Sequence, residues 1–357
     1  MMDIFRDVNK VTVTVKNMLV ALAAADAYGT GFESKSREWI CDFQNGVDFS
    51  DFIDARDCDS VKGKYRKGYF KGFVSDDTVQ NIALIRALIN QPNEPFSDSS
   101  LLKYSQQQYQ QFKDKYGVAR AGYGSIRWIF NKKRWSLEQV RACQRNKTDP
   151  GNATVMCAMQ LGLLLPTQIT EYARISADFT HPHPKARAAT IGIAWAMRYF
   201  LCNGDAKDII TYCLSKIGEE SEETVEYLQR VDMLGEQLST DDYQLLLGEP
   251  HQGYMLNGDG FQSYFNGLNS DAMRTCGTAL YILKYSTSLM DGFKRAIEMG
   301  GDVDTLAAIV CGILAVKYGL EGFPETLCKF ETEEFRQELN RLAETFAQWL
   351  YQLHNSK

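Results

Sequence analysis

Residues 300–318 read GGDVDTLAAIVCGILAVKY. Two glycines lead into two aspartates and a threonine, and the chain then turns almost wholly apolar. Inside an α-helix, side chains at i and i+2 do not share a face. Asp302 and Asp304 can therefore converge only if the backbone turns where they stand. Gly300 and Gly301 permit that turn, because glycine accepts backbone angles that other residues avoid. The acidic pair then sits at the N-terminus of a helix over 305–318, where the helix dipole favours negative charge. Ala307, Ala308, Ile309, Ile313, Leu314 and Val316 predict that this helix is deeply buried.

Working outward, the helical period recurs along most of the chain. An Ala-rich apolar run spans 11–28 and ends in Gly29-Thr30-Gly31. Over 76–90, Val79, Ile82, Ala83, Ile85, Leu88 and Ile89 fall at helical spacing. Helices are also expected at 101–116, 186–200, 224–238, 272–285, 288–299 and 332–353. Pro184 stands where the first turn of the 186–200 helix begins. Strand signals are scarce: Thr12 to Val15 alternate only weakly and run straight into helix-forming sequence. Small residues inside the helices let helix axes approach closely. The expected fold is all-α, a compact orthogonal multi-helix bundle. No fixed-period repeat, low-complexity tract or Pro/Ser-rich linker divides residues 1–357, so one domain is expected.

Bulk chemistry excludes several classes. The net charge is −6, which is no footprint for nucleic acid. Hydrophobic and charged shares of 45% and 24% are those of an ordinary globular chain and argue against disorder. The nine cysteines are odd in number and include no C-x-x-C pair, which argues against a disulfide scaffold and a structural zinc site. Reduced thiols and a cytoplasmic location follow as expectations. Asp3, Arg6, Asp7 and Lys10 do not suit a signal peptide. No stretch approaches the ~18 uninterrupted apolar residues of a membrane span, so no membrane partner is expected. The glycosylation sequons at Asn146 and Asn152 are read as chance.

A second acidic cluster, Ser75-Asp76-Asp77-Thr78, also precedes an apolar helix. Each cluster alone reads as a helix cap, since Ser, Asp and Thr are the favoured capping residues. Together they ask for more. Paired carboxylates entering strongly apolar helices are costly to half-bury unless a cation neutralises them. The candidate ligands are all hard oxygens, which selects Mg²⁺, Mn²⁺ or Ca²⁺ over zinc or copper. A third element, Asp26-Ala27-Tyr28-Gly29-Thr30-Gly31-Phe32-Glu33, presents two more acids around a glycine-rich turn. Read alone, it is a helix C-terminus with a glycine cap.

In order and rough spacing, these three motifs resemble those of the ADP-ribosylglycohydrolases, the family that includes the dinitrogenase reductase-activating glycohydrolase. Gly122-Tyr123-Gly124 resembles the family's glycine-tyrosine-glycine loop, and Gly151 to Met156 its glycine-asparagine-rich loop. Thr180-His181-Pro182-His183-Pro184 resembles its threonine-histidine element. The resemblance spans about 19–322. It implies two magnesium ions, with Mn²⁺ as a substitute, held by Ser75, Asp76, Asp77, Asp302, Asp304 and Thr305. It places Glu33 beside the reacting centre, with Asp302 or Asp304 orienting a water. Gly122, Tyr123, Gly124, Ser125, Gly151, Asn152 and His181 would line an ADP-ribose cleft. Ser75 replaces the family's common threonine, Ala25 and Ala153 replace frequent glycines, and Cys157 replaces a frequent arginine.

The implied activity is metal-dependent hydrolysis of the N-glycosidic bond between ADP-ribose and a modified protein side chain, arginine before serine. The implied partner is an ADP-ribosylated protein. Taken residue by residue, His181 reads as a packed or capping histidine, Tyr123 as a packing residue, and Met156 and Cys157 as core. Three other readings compete: an immunity protein that neutralises an ADP-ribosyltransferase toxin by contact as well as by hydrolysis, a degenerate structural relative, and a metal-assisted hydrolase of another nucleotide or sugar.

Overall fold

The computed structural model describes residues 4–44, 49–53, 70–91, 93–116, 125–130, 135–252, 256–257, 260–261 and 264–356. It begins with a short 3₁₀ turn, Ile4–Arg6, and the long helix α1, Val8–Gly29. The Asp7 carboxylate starts α1 by accepting from the N–H groups of Asn9 and Lys10. The weakly alternating stretch Thr12 to Val15 lies inside α1. Thr12 fits there because its hydroxyl donates to the Val8 carbonyl at 2.7 Å.

The helices that follow are α2 (Arg37–Gln44), α3 (Asp76–Ile89), α4 (Asp98–Tyr116), α5 (Ser125–Phe130), α6 (Leu137–Arg145), α7 (Pro166–Thr180) and α8 (Pro184–Leu201). Then come α9 (Ile209–Ile217), α10 (Glu222–Asp232), α11 (Thr240–Leu247), α12 (Ala272–Tyr285), α13 (Leu289–Glu298), α14 (Val303–Tyr318) and α15 (Glu333–Asn355). The helix expected over 224–238 stops at Asp232. The carbonyls of Leu234, Gly235 and Glu236 instead accept from the hydroxyls of Tyr285 and Tyr281 on α12. Among the described residues, strand structure is limited to two-residue antiparallel pairs, His251–Gln252 with Tyr264–Phe265 and Leu256–Asn257 with Gly260–Phe261, and to isolated bridges. The fold is all-α, as the periodicity predicts.

One apolar cluster runs from Phe5 to Leu350. At its centre α1 lies along α14, with α15 on another side of α1. Small residues allow the approach: α1 carries Ala21, Ala23, Ala24 and Ala25, and α14 carries Ala307, Ala308 and Gly312, all fully covered. A methyl on Gly312 would lie 2.4 Å from the Met159 sulfur and in ordinary contact, 3.5 Å, with Leu22 Cβ, so a larger residue must displace the Met159 side chain. By length and composition α1 could cross a membrane, but 67% of that window is buried inside this bundle. Its apolar surface serves the core.

Candidate metal centre and cleft

The Gly300-Gly301 turn does what its residues predict, and it also joins three distant segments. Both glycines have positive φ, 70° and 76°. Gly301 donates its N–H to the Lys35 carbonyl and accepts from the Ser34 N–H, each at 2.8 Å. On its other side Leu268 donates to the Gly300 carbonyl and accepts from the Asp302 N–H. A Cβ on Gly301 would fall 2.2 Å from the Leu268 carbonyl oxygen. Glycine is therefore required here both for its φ and for the approach. Ser34 itself has φ 67°, and this turn brings Glu33 to the same cleft.

Asp302 begins α14, but its side chain makes no capping bond. Its Oδ2 instead accepts from the Asn152 amide at 2.9 Å, and the same amide donates to the Thr275 hydroxyl at 3.0 Å. For Asp302 the capping reading fails. Asp304 Oδ1 accepts from the Thr305 N–H. At the start of α3, Ser75 does cap, accepting from the Asp77 N–H at 3.1 Å and donating to Asp77 Oδ2 at 2.9 Å.

These elements meet on the floor of one cavity of about 260 Å³. Its described lining includes Glu33, Asp76, Asp77, Asp302, Asp304 and Thr305 from the acidic motifs, and Gly151, Asn152 and His181 from the neutral ones. Ser75 stands buried just behind Asp76 and Asp77. Gly122, Tyr123 and Gly124 fall outside the described residues. Ser125 opens α5, and its side chain is likewise outside them.

Two sets of acids come close enough to share a cation. Asp26, Asp77 and Asp304 each place an oxygen within 4.8 Å of the others, and so do Glu33, Asp302 and Asp304. Asp304 belongs to both. Burial, then the neighbouring Asp304, pushes the Asp77 and Asp302 carboxyls well above the usual carboxylate range. Asp77 Oδ1 is buried without a hydrogen-bond partner. Among the described lining residues the only fixed positive charge is Lys147. Clustered hard oxygens, one of them unpaired, fit a divalent cation such as Mg²⁺, Mn²⁺ or Ca²⁺.

The remaining described lining carries one charge, Lys147. His181 is fully buried, and its Nδ1 pairs with the Thr180 hydroxyl at 2.8 Å. Burial first, then Lys147, lowers its pKa to about 3, so the ring is uncharged. Its Nε2 lies 3.0 Å from where a Gly151 Cβ would stand, so glycine leaves that nitrogen clear. The neighbouring His183 caps α8 with its side chain, Nδ1 accepting from the Lys185 N–H, while His181 closes α7 through its backbone N–H, which donates to the Ala177 carbonyl. Gln144 Oε1 accepts from the Gly151 N–H. Met156 is mostly covered yet lines the cavity, whereas Cys157 lies beside it in a separate small pocket.

Sequence reasoning overlooks Trp128, Gln144, Lys147 and Ser270, which also line the cleft. None belongs to an acidic or glycine-rich motif. Asp26, quoted in the third acidic motif but left out of the expected ligand set, is the more telling case. Gly29 is not a left-handed cap; α1 ends in Thr30 with φ −56°. Gly29 is small because a methyl there would meet Asp304 Cα at 2.4 Å.

These features define an all-helical protein whose cleft sets a cation-seeking carboxylate floor against an uncharged glycine-histidine wall. The family model for ADP-ribosylglycohydrolases matches residues 9–356, and the chain belongs to that family. Membership makes it a hydrolase acting on ADP-ribose linkages. It is 25% identical over 311 residues to the ADP-ribosylhydrolase ARH3 of Bos taurus, covering 75% of this chain and 78% of the relative. A solved structure described as an ADP-ribosylglycohydrolase-related protein complex superposes with TM-score 0.63 at 18% identity. That match covers 96% of this chain and 99% of the other and shows a shared fold.

Proposed function

We propose that the protein removes ADP-ribose from a modified protein side chain by hydrolysing the N-glycosidic bond, with two magnesium ions and arginine as the preferred acceptor. The carrying observation is the pair of carboxylate sets that share Asp304 at the cleft floor. Ser75, Asp76, Asp77, Asp302, Asp304 and Thr305 would hold the ions, and Mn²⁺ would substitute. When bound, such ions supply positive charge that orients ribose hydroxyls and acidifies water.

The protein's own groups do the rest. Asn152 fixes the Asp302 carboxylate so that it can orient the attacking water. Glu33, half-buried at the cleft, exchanges protons with solvent and with the reacting atoms. Glycosidic cleavage builds oxocarbenium-like positive charge on the ribose, which the acidic floor favours. The Thr180 hydroxyl, by donating to Nδ1, would leave His181 Nε2 protonated and able to donate to a diphosphate oxygen without carrying charge. Lys147 adds the charge that a diphosphate attracts. An acidic cleft also suits the cationic guanidinium of arginine better than the neutral hydroxyl of serine.

The test offers arginine- and serine-ADP-ribosylated substrates with Mg²⁺, with Mn²⁺ and with chelator, and measures free ADP-ribose. Release from the arginine conjugate that chelation stops is the expected result. No release from either conjugate overturns the reading.

A further inference from the structure

A helix N-terminus needs partners for its free N–H groups, and the first turn of α3 holds four residues able to supply them. Two of these, Asp76 and Asp77, face the cleft instead. Ser75 takes the Asp77 N–H, and two other amides are taken from across the core. The Ser75 N–H donates to Asp26 Oδ1 and Oδ2 at 3.1 and 2.9 Å. The Thr78 N–H and hydroxyl donate to Asp26 Oδ2 at 3.1 and 2.6 Å. Asp26 is fully buried, and one turn later Gly29 presses α1 against the backbone of Asp304. A single turn of α1 therefore grips both acidic helix starts.

Asp26 has oxygens near Asp77 and Asp304, so it could be an ion ligand or a brace. Its bonds decide between the two. Oδ2 already accepts three donors, all from residues 75 and 78, and Asp26 is absent from the described lining of the cleft. The acid left with a buried, unpaired oxygen is Asp77. We infer that Asp26 is a positioning residue. By satisfying the α3 amides it frees Asp76 and Asp77 from capping and holds them in register with Asp304 before any ion arrives. This inference rests on the metal reading proposed above.

The experiment titrates metal-free full-length protein with Mg²⁺, and separately with Mn²⁺, by calorimetry. It also records the thermal midpoint in chelator. Loss of a group that orients metal ligands typically weakens affinity ~10–100-fold. Asp26→Ala should fall in that range, Asp26→Asn should fall less, and Thr78→Val, which removes one hydroxyl donor, should lose about threefold. Stoichiometry should stay at the wild-type value. The Asp26→Asn midpoint in chelator should not drop, because one charge beside Asp77 and Asp304 is gone. Wild-type affinity in both Asp26 variants overturns the brace. So does loss of one ion with the other site unchanged, which would make Asp26 a ligand. So does a midpoint that falls in step with affinity across all three variants. A wild-type protein that binds neither ion takes the proposed function down as well.

Discussion

On the side of the cleft built by α1, α3 and α14, Asp26, Asp77, Asp302 and Asp304 are buried, and this side is tied through backbone and side chain to remote segments. On the side built by residues 144–152 and α7, Gly151 and neutral His181 sit beside an exposed Lys147. The first side stores unfavourable charge in fixed positions, which is costly and useful only if something cationic comes to it. The second offers hydrogen bonds with little charge, suited to holding a ligand and letting it go. Under the proposed function the two sides divide the labour, with chemistry on the braced wall and recognition on the other.

The sharpest way to break that comparison is at the floor. Asp302→Ala with Asp304→Ala should reduce ADP-ribose release at least ~1000-fold, since several kcal/mol of transition-state stabilisation would go with the ion site. Full activity in that variant would move the chemistry elsewhere. Next comes the joint that places the acids. Gly301→Ala forces a left-handed alanine into the Leu268 carbonyl and should cost about 3 kcal/mol in urea unfolding. A neutral outcome would show that the turn is not tightly held.

The two walls should also carry opposite pH signatures. His181 is neutral when folded, with a pKa of about 3, against an ordinary value of 6.5. The unfolded chain therefore binds the extra proton below pH 6.5, and stability is lost as pH falls through that value. Between pH 7.5 and 5.5 the wild type should lose about 1.4 kcal/mol relative to His181→Gln. Asp77 and Asp302 are raised, so the folded metal-free protein binds protons more readily than the unfolded chain. Their contribution grows as pH falls, and saturating Mg²⁺ should remove it. Urea titrations of wild type and Asp77→Asn/Asp302→Asn, with and without Mg²⁺, read this directly; equal slopes for both proteins would refute it. The smallest effect belongs to the rim. Lys147→Ala should raise KM about threefold and leave kcat alone, as an exposed charge that aids binding would.

Much of this was legible in residue order. The apolar stretch after Asp304 had to be a buried helix, and its lead-in glycines had to turn. The short helices α2, α5, α6, α9 and α11 were not legible, because a few turns give too little period to stand out from loops; the 15-residue α7 is also absent from the expected helices, although its length is enough to carry a period. Trp128, Lys147 and Ser270 reach the cleft through tertiary packing alone. Asp26 carried a signal that local reading discounts: one acid inside Leu22-Ala23-Ala24-Ala25-Asp26-Ala27, where burial is certain and an ordinary surface role is not available. A charge set in such a run asks for a partner from elsewhere in the chain, and here it is the start of α3.

The Gly301 turn has a kinetic corollary. It is stitched to residues 34–35 and to residue 268, and Asn152 reaches Asp302 across 150 residues of chain. Contacts of such separation close late, since the loop entropy must be met before they yield anything. A partly collapsed chain would hold the helices without the assembled oxygens. Divalent ions would then favour only the finished molecule, lowering its unfolding rate while leaving early folding steps untouched.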